Sequence, residues 1–333
     1  MKFGVRLPVA GPLASPPAIR RAAQDAERLG FDSVWVHDFI GWTKEMDKYH
    51  VSCGAIELIQ DDTEPVMFET ITNLAFLAGI TDRITIGSAI LCTPYRNPVV
   101  QAKQLACIDV LSGGRLVVGA GVGALKRIGL DFEVVGVSRG DKYERSHEYL
   151  QLMREIWERD YPSFDGEYVQ LPETEINPKP LQRPLPIWLA GRGDKAWNIM
   201  TELANGWIPT WVTPDGYREA VPRLRDGLAA KGRGGETFTI AKECYASIAP
   251  SSEEARAKSR ATFETFTKGF TVKSYEEAIA SALLGCSDEI LEQIADYRDA
   301  GVEHIEMKFI YHSEDHLAEQ MELFAESVLV PAR

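Results

Sequence analysis

Two side chains of this 333-residue chain have the chemistry and the position expected of proton-transfer groups. Asp38 lies at the carboxyl end of a predicted strand over residues 32–37. Burying a carboxylate without a partner is costly, so its presence there favours a functional site. His50 lies in the segment that follows, and an imidazole titrates near neutral pH. We therefore predict Asp38 and His50 as catalytic residues, although a histidine in a loop is also compatible with simple exposure to solvent.

A glycine-flanked arginine forms a second predicted site, for an anion. Gly191-Arg192-Gly193 follows an apolar segment that ends at Ala190 and precedes a predicted helix. Glycines leave backbone N–H groups accessible, a helix N-terminus attracts negative charge, and a guanidinium binds phosphate through two nitrogens. We expect Ala190, Gly191, Arg192 and Gly193 to bind the phosphate end of a cofactor. The alternative is a tight turn with a solvated arginine.

Gly121 and Gly123 follow the predicted strand 115–119 and form a third feature with a chemical use. Glycine has no β-carbon, so a flat ligand can approach the backbone closely at such positions. Parallel sheets place their ligands beyond the carboxyl ends of the strands. We therefore expect these two glycines in a cofactor-binding site.

The elements that must position these residues alternate between strands and helices. The clearest unit is a strand over 84–91, a helix that begins near Pro98 and a second strand over 115–119. Short joints of this kind are typical of parallel βαβ units. The same pattern predicts eight strands, over residues 3–7, 32–37, 84–91, 115–119, 185–190, 207–211, 240–249 and 304–309.

Eight strands with intervening helices predict an α/β fold, a (β/α)8 TIM barrel that spans residues 1–333 as a single domain. A doubly wound sheet with a second domain is the structural alternative. Two connections exceed the usual length, 39–62 after the second strand and 250–286 after the seventh. Both leave the carboxyl end of a strand, so we expect them to be insertions at the mouth of the barrel.

The composition argues against several classes of protein. The net charge of −13 argues against nucleic acid and anionic membrane as partners. No apolar run approaches the ~20 residues of a transmembrane helix. The five cysteines are scattered without a Cys-x-x-Cys pair, which suits a reducing compartment and gives no metal site. The sequence begins with a predicted strand rather than a signal peptide, so we expect a soluble, cytoplasmic protein.

In the order of its motifs the chain resembles the bacterial luciferase-like family of flavin-dependent oxidoreductases. The segments that carry the resemblance are Gly30-Phe31-Asp32-Ser33-Val34-Trp35-Val36, Arg96-Asn97-Pro98-Val99 through Gly123, Arg139-Gly140, Pro178 to Gly191, and Asp299 to His304. The resemblance implies a (β/α)8 barrel with insertions and a flavin or deazaflavin across its carboxyl mouth. It places the ring against strand three, near Ala89, Ile90 and Cys92, with a cis peptide bond between Ala89 and Ile90. It places the phosphate near the loop after strand five.

One position departs from the family's pattern. Relatives commonly carry a histidine directly after the residue that corresponds to Asp38, whereas this chain has Phe39 there. If that histidine is the usual acid–base group, the chain lacks it. His37 precedes Asp38, but adjacent strand residues face opposite sides, so one interpretation places His37 among the helices. We expect Asp38 to border the reactive edge of the ring and Phe39 to pack against it.

The function that the resemblance implies depends on the cofactor, F420 or FMN, and no metal is expected. With reduced FMN the protein would be a monooxygenase, and with F420 a hydride-transferring oxidoreductase, in each case acting on a small organic substrate. The branch that the chain resembles most is usually assigned F420. Two alternatives stay open: a non-catalytic flavin-binding barrel, and an aldolase or isomerase with Lys308 as its Schiff-base residue. Relatives often dimerise, so a homodimer is a further expectation.

Overall fold

The structure is a computed structural model that describes residues 1–41, 66–123, 129–267 and 274–332. His50, predicted to be catalytic, and most of the insertion predicted over 39–62 lie outside the described residues.

Eight parallel strands close into a barrel, as predicted. Each strand pairs with the next along the chain, and the ring closes where the last strand pairs with the first. The strands of the barrel are β1 (Lys2–Arg6), β2 (Ser33–Val36), β3 (Thr85–Ser88), β5 (Leu116–Gly121), β8 (Ile187–Leu189), β9 (Gly206–Trp207), β10 (Thr239–Ile248) and β12 (His304–Phe309). The other strands are β4 (Leu91–Cys92), β6 (Phe164–Asp165), β7 (Gln170–Leu171) and β11 (Leu283–Gly285).

Helices cover the outside of this barrel. They are α1 (Pro16–Leu29), α2 (Thr70–Ile80), α3 (Pro98–Leu111), α4 (Gly129–Val134), α5 (Lys142–Glu158), α6 (Asp194–Leu203), α7 (Pro214–Ala230), α8 (Ser252–Thr267), α9 (Tyr275–Ala280), α10 (Ser287–Asp299) and α11 (Glu314–Phe324). A closed ring of strands excludes the doubly wound sheet, which has two open edges.

Local signals in the sequence fix where helices begin and end. The Oδ1 atom of Asn97 accepts hydrogen bonds from the backbone N–H groups of Val99 and Val100, and Pro98 takes the first helical position of α3. At the other end of a helix, Gly30 adopts φ +87° after α1, a left-handed conformation that favours glycine. These caps define the end of α1 and the start of α3, and α3 begins at Pro98 as predicted.

Alternation along the strands separates the outer core from the interior of the barrel. In β1, Phe3 and Val5 pack into the core between strands and helices, whereas Arg6 lines a cavity inside the barrel. In β2, Trp35 points inward, and its ring lies 5.3 Å from that of Trp188. Odd and even positions of a strand therefore belong to different environments, and this parity decides which polar side chains reach the interior.

The third predicted strand, 84–91, is interrupted. Register with β5 pairs Gly87 with Val117 and then Leu91 with Ala120, so the β3–β4 segment carries one residue more than its partner. This extra residue is a β-bulge, which ends β3 and starts β4. The peptide bond between Ala89 and Ile90 is cis, which confirms that prediction.

Two further predictions of strand extent were inaccurate. The sixth strand was expected over 207–211 but consists of Gly206–Trp207, because Pro209 has no N–H group with which to continue a ladder. The insertion expected over 250–286 forms α8, α9 and β11, and β11 pairs in parallel with the end of β10. This strand is a short apolar run, Leu283–Gly285, that was predicted as part of a connection.

Candidate active site

A cavity of about 330 Å³ opens at the carboxyl ends of the barrel strands. Most residues predicted to bind a cofactor line it, from four different strand ends: Asp38, Ala89, Ile90, Cys92, Gly121, Gly123, Ala190, Gly191 and Arg192. Gly193 lies one residue beyond, as the N-cap of α6. The structure thus brings together residues that are more than 150 positions apart in the sequence.

The glycines after β5 are required by packing within the protein. A β-carbon on Gly121 would lie 2.6 Å from Cγ2 of Ile90, and one on Gly123 would lie 2.6 Å from Cε2 of Phe132. Real β-carbons essentially never come that close, so neither position accepts alanine without a shift. The space directly over Gly121 is therefore occupied by Ile90, whose side chain lines the cavity there.

The turn after β8 places an arginine at the rim of the cavity. Gly191 has φ +116°, and a β-carbon there would lie 2.8 Å from that of Ala196 in α6. Arg192 is exposed, and its Nη1 donates a long hydrogen bond of 3.4 Å to the carbonyl oxygen of Trp211. The guanidinium is thus close to the start of α6 and available to a charged group at the mouth.

Asp38 is held by an ion pair with two hydrogen bonds. Both terminal nitrogens of Arg96 donate to its carboxylate, each at 2.7 Å, and the backbone N–H of Cys92 donates to Oδ2 at 2.9 Å. The Asp38 side chain is fully buried. Arg96 also donates to Glu69, the N-cap residue of α2, at 2.6 Å. This geometry favours a role for Asp38 in joining β4 and α2 at the mouth, because protonation of Asp38 would weaken its two hydrogen bonds with Arg96.

Four charged side chains form a cluster inside the barrel, and of these the sequence had indicated only Lys308, as the Schiff-base residue of the aldolase or isomerase alternative. Arg6 donates from Nε to Glu306 at 2.8 Å and from Nη2 at 3.2 Å, and its Nη2 lies 3.5 Å from Glu243. Lys308 forms an ion pair with Glu243 and lies 5.1 Å from the centre of the Tyr245 ring. All four charged groups are buried, so each one depends on the others for compensation.

The pKa values of this cluster are shifted by burial and by the neighbouring charges. Burial raises the pKa of Glu306 to about 7, against the opposing effect of Arg6. Burial would also raise the pKa of Glu243, but the charges of Lys308 and Arg6 outweigh it and lower that pKa. Burial lowers the pKa of Lys308, with Glu243 acting in the opposite direction. Burial thus shifts the pKa of Glu306 upward and that of Lys308 downward, so it acts against the charge of both groups.

His37 lines the same cavity, and the interpretation that placed it among the helices is wrong. Positions 33, 35 and 37 alternate toward the interior, as Trp35 shows, so parity brings His37 inward. Neither ring nitrogen has a hydrogen-bond partner among the described residues, although the side chain is only 5% exposed. Burial and the charges of Arg6 and Lys308 lower its pKa well below the usual value, so the ring is neutral at physiological pH.

Aromatic side chains close the cavity on the side of β10. Trp211 stacks on Tyr245 with ring centres 5.4 Å apart, and Phe263 of α8 contacts the other edge of Tyr245 at 6.3 Å. Both Trp211 and Tyr245 line the cavity. Part of the insertion predicted over 250–286 therefore packs directly behind the cavity wall.

The missed residues had a signal in the sequence. Glu306 and Lys308 occupy alternate positions of a strand that was predicted correctly, and charged residues in a buried strand are rare unless they are paired. Counting parity from these charges would have predicted a polar interior. Among the described residues, no group of three or more histidine, cysteine or carboxylate side chains could hold a metal ion. In the same part of the chain, no helix is long and apolar enough to cross a membrane.

Comparisons with known proteins agree with this architecture. The sequence profile described as luciferase-like monooxygenase matches residues 1–304. An FMNH(2)-dependent dimethylsulfone monooxygenase of Pseudomonas putida is 27% identical, over 93% of this chain and 86% of its own length. An F420-dependent glucose-6-phosphate dehydrogenase of Microbacterium testaceum is 26% identical, over 91% of this chain and 90% of its own.

A solved structure shows the same fold over the whole chain. The monooxygenase RslO1 from Streptomyces bottropensis superimposes with a TM-score of 0.80, at 22% sequence identity and with 100% of both chains covered. The profile match covers most of the chain, and its relatives use either a reduced flavin or a deazaflavin. The chain therefore belongs to the luciferase-like monooxygenase family.

Proposed function

We propose that this protein is an oxidoreductase that binds a reduced flavin-type cofactor, FMN or F420, across the mouth of the barrel and uses it on a small organic substrate. The cavity of about 330 Å³ carries this proposal, because it joins the residues predicted for the cofactor with a buried histidine, His37, that has no hydrogen-bond partner in the described part of the chain. Its size lies at the lower end of the range of small-molecule sites, roughly 300–1,000 Å³.

The residues present fit a flat, phosphorylated cofactor. Ala89 and Ile90 offer an apolar surface for the ring, and Ile90 is held in place from behind by the bare backbone of Gly121. Arg192 and the start of α6 offer positive charge for a phosphate at the rim. When bound, reduced FMN would supply hydride or activate oxygen, and reduced F420 would supply hydride.

The chain's own contribution to the reaction is to orient the reactants and to exclude water. Trp211 and Tyr245 close one side of the cavity. Asp38 holds the backbone of Cys92 and the side chain of Arg96, and so keeps the mouth in shape. A neutral His37 can donate one hydrogen bond and accept another.

A binding titration tests the proposal. Purified protein is titrated with FMN, riboflavin, F420 and the phosphate-free deazaflavin, each oxidised and reduced under anaerobic conditions, and the cofactor's fluorescence or absorbance is followed. We expect saturable binding of one of the two cofactor types and turnover of its reduced form. Binding without turnover on any substrate panel would favour the non-catalytic flavin-binding barrel, and no binding of either type would refute the proposal.

The variant Arg192→Ala tests where the phosphate binds. We expect it to weaken binding of the phosphorylated cofactor by roughly tenfold or more, as for a lost charge-assisted hydrogen bond, and to leave the phosphate-free analogue unaffected. Arg223→Ala is the matched control, because that guanidinium pairs with Asp194 of α6 and stacks on Trp197 without lining the cavity. Equal affinities for wild type and Arg192→Ala would place the phosphate elsewhere.

A further inference from the structure

Three basic side chains face the cavity from three adjacent strands, β12, β1 and β2. Lys308, Arg6 and His37 are 6%, 4% and 5% exposed, and all three line the cavity. Arg6 uses Nε and Nη2 for Glu306, and its Nη1 has no partner in the described part of the chain. Both ring nitrogens of His37 likewise have no hydrogen-bond partner among the described residues.

Unpartnered polar atoms at this depth indicate a polar guest. A buried donor or acceptor without a partner is costly, so native structures satisfy such groups with protein, water, ions or ligand. The free nitrogen of Arg6 is a donor only, and the ammonium group of Lys308 is a donor only. A guest that satisfies this set must therefore offer acceptor atoms.

The charges of the cluster indicate that the acceptor atoms belong to an anion. Arg6 and Lys308 carry two positive charges, and Glu243 and Glu306 oppose them from β10 and β12. Burial raises the pKa of Glu306 to about 7, so this carboxyl balances the cations less completely than Glu243, whose pKa Lys308 and Arg6 lower. The cluster can therefore accommodate a guest with a single negative charge next to Arg6 and Lys308.

We propose that Arg6, His37 and Lys308 bind the carboxylate group of a small organic acid, which is the protein's substrate. The inference rests on the proposed function, because it assigns this set to the substrate while the cofactor ring lies against Ala89 and Ile90. One carboxylate oxygen accepts from Nη1 of Arg6, and the group as a whole lies between the two cations. The neutral imidazole of His37 donates the further hydrogen bond that fixes its orientation.

Isosteric probes test the inference on the full chain. Binding of acetate and benzoate, and of the neutral acetamide and benzamide, is measured by calorimetry with and without FMN or F420. We expect both carboxylates to bind and both amides to bind at least about tenfold more weakly, since the amides lack the charge. Equal affinities of carboxylate and amide, or no binding of either carboxylate, would overturn the inference.

Variants locate the binding site. Arg6→Lys keeps the charge but removes the free nitrogen, His37→Leu removes both ring nitrogens, and Lys308→Met removes the second cation. Each is expected to weaken benzoate binding several-fold or more. Lys242→Met is the matched control, because Lys242 is also a buried lysine of the barrel but donates to the carbonyl oxygen of Val212 and lies outside the cavity.

The pH dependence provides a second readout besides affinity. The groups that face the set are Glu306 of β12 and Glu243 and Tyr245 of β10. As pH rises from about 6 to about 8, Glu306 loses its proton, so benzoate binding is expected to weaken while benzamide binding is not. Parallel pH profiles of the two probes would contradict the inference.

The outcomes separate this inference from the proposed function. Carboxylate binding without any cofactor binding would refute the proposed function but keep the anion site. If Arg6→Lys and His37→Leu leave benzoate affinity unchanged and shift only the affinity for reduced relative to oxidised cofactor, the cations serve the cofactor and the inference is wrong. The comparison of carboxylate with amide in the wild-type protein stands even if a variant fails to fold.

Discussion

Arg96 is the side chain on which two acidic groups of the barrel mouth converge. Its guanidinium pairs with Asp38, at the end of β2, and with Glu69, at the start of α2. Burial opposes the charge of Arg96, but the hydrogen bonds and charges of Asp38 and Glu69 raise its pKa overall. A single guanidinium thereby fixes the relative position of two segments that border the cavity, which links residue chemistry to the shape of the site.

We therefore expect Asp38→Asn mainly to lower the stability of the fold. The substitution removes the buried negative charge while Arg96 stays, and losing one partner of a buried pair is expected to cost about 2–4 kcal/mol in free energy of unfolding. Urea denaturation measures this loss. Glu69→Gln is the comparison, since that carboxylate is 41% exposed and its replacement should cost less. If Asp38→Asn abolishes turnover and leaves the free energy of unfolding unchanged, Asp38 is catalytic rather than positional.

A matched pair of histidines tests the assignment of His37. His304 also lies inside the barrel, but its Nε2 is hydrogen-bonded to Oγ of Ser33 at 2.9 Å, whereas neither nitrogen of His37 has a partner among residues 1–41, 66–123, 129–267 and 274–332. We expect His37→Leu to raise the free energy of unfolding by about 1 kcal/mol near pH 8, because it removes unsatisfied polar atoms. His304→Leu should lower it. Thermal and urea unfolding measure both changes. A large loss of stability in His37→Leu would indicate a partner within the protein.

The sequence could predict some of these residues and not others, for a physical reason. Gly191 and Arg192 could be predicted because a turn between a strand and a helix is a local sequence pattern. Arg6 and Glu306 were not, because they meet across 300 positions of sequence and their pairing depends on strands that close the barrel. The orientation of His37 was predicted wrongly because Asp38 was assumed to face inward as part of the strand. Asp38 lies beyond the end of β2, so strand alternation does not apply to it.

At the scale of elements, the bulge between β3 and β4 shapes the cavity wall. Its extra residue displaces the register with β5 and directs Ile90 over Gly121. Only the pairing with β5 defines where the ladder breaks, and this pairing is not a local property of the sequence. The same is true of β11, which is defined by its pairing with β10, whereas the end of β9 before Pro209 has a local cause.

Gly121→Ala should disturb this wall. The new β-carbon would lie 2.6 Å from Cγ2 of Ile90, so we expect a loss of about 1–3 kcal/mol in free energy of unfolding, as for other overpacked sites. Ile90→Ala removes the clashing atom, and the double variant should lose less than the sum of the single variants. Urea denaturation of the four proteins completes the cycle. Simple additivity would show that the two residues do not press on one another.

At the scale of the whole molecule, closure of the barrel brings the two ends of the chain together. β1 pairs with β12, and Phe324 of α11 packs against Phe3 of β1 and Phe31 beside β2. The number and order of the strands could be predicted from repeated local units. The charged interior could not, because it exists only once all eight strands are closed around it. Below it, His304 reaches across the bare backbone of Gly4 to Ser33.

Burial of His304 should make stability depend on pH. Burial lowers its pKa to about 3, whereas an imidazole in the unfolded chain binds a proton below about pH 6.5. The unfolded state therefore binds more protons over this interval, so the stability present above it is lost as pH falls, by about 1.4 kcal/mol per pH unit for this one group. The raised pKa of Glu306 acts in the opposite direction, so a comparison with a variant is needed to isolate His304.

His304→Leu provides that comparison, since it removes the titrating ring and leaves Glu306 and His37 in place. We expect the variant to be less stable than the wild type near pH 8 and the difference to shrink as pH falls from about 6 to about 4, because only the wild type loses the contribution of this imidazole. Urea denaturation at a series of pH values measures both slopes. The same slope in both proteins would mean that His304 takes up its proton as readily in the folded barrel as in the unfolded chain, and that the interior beneath the charged cluster admits water.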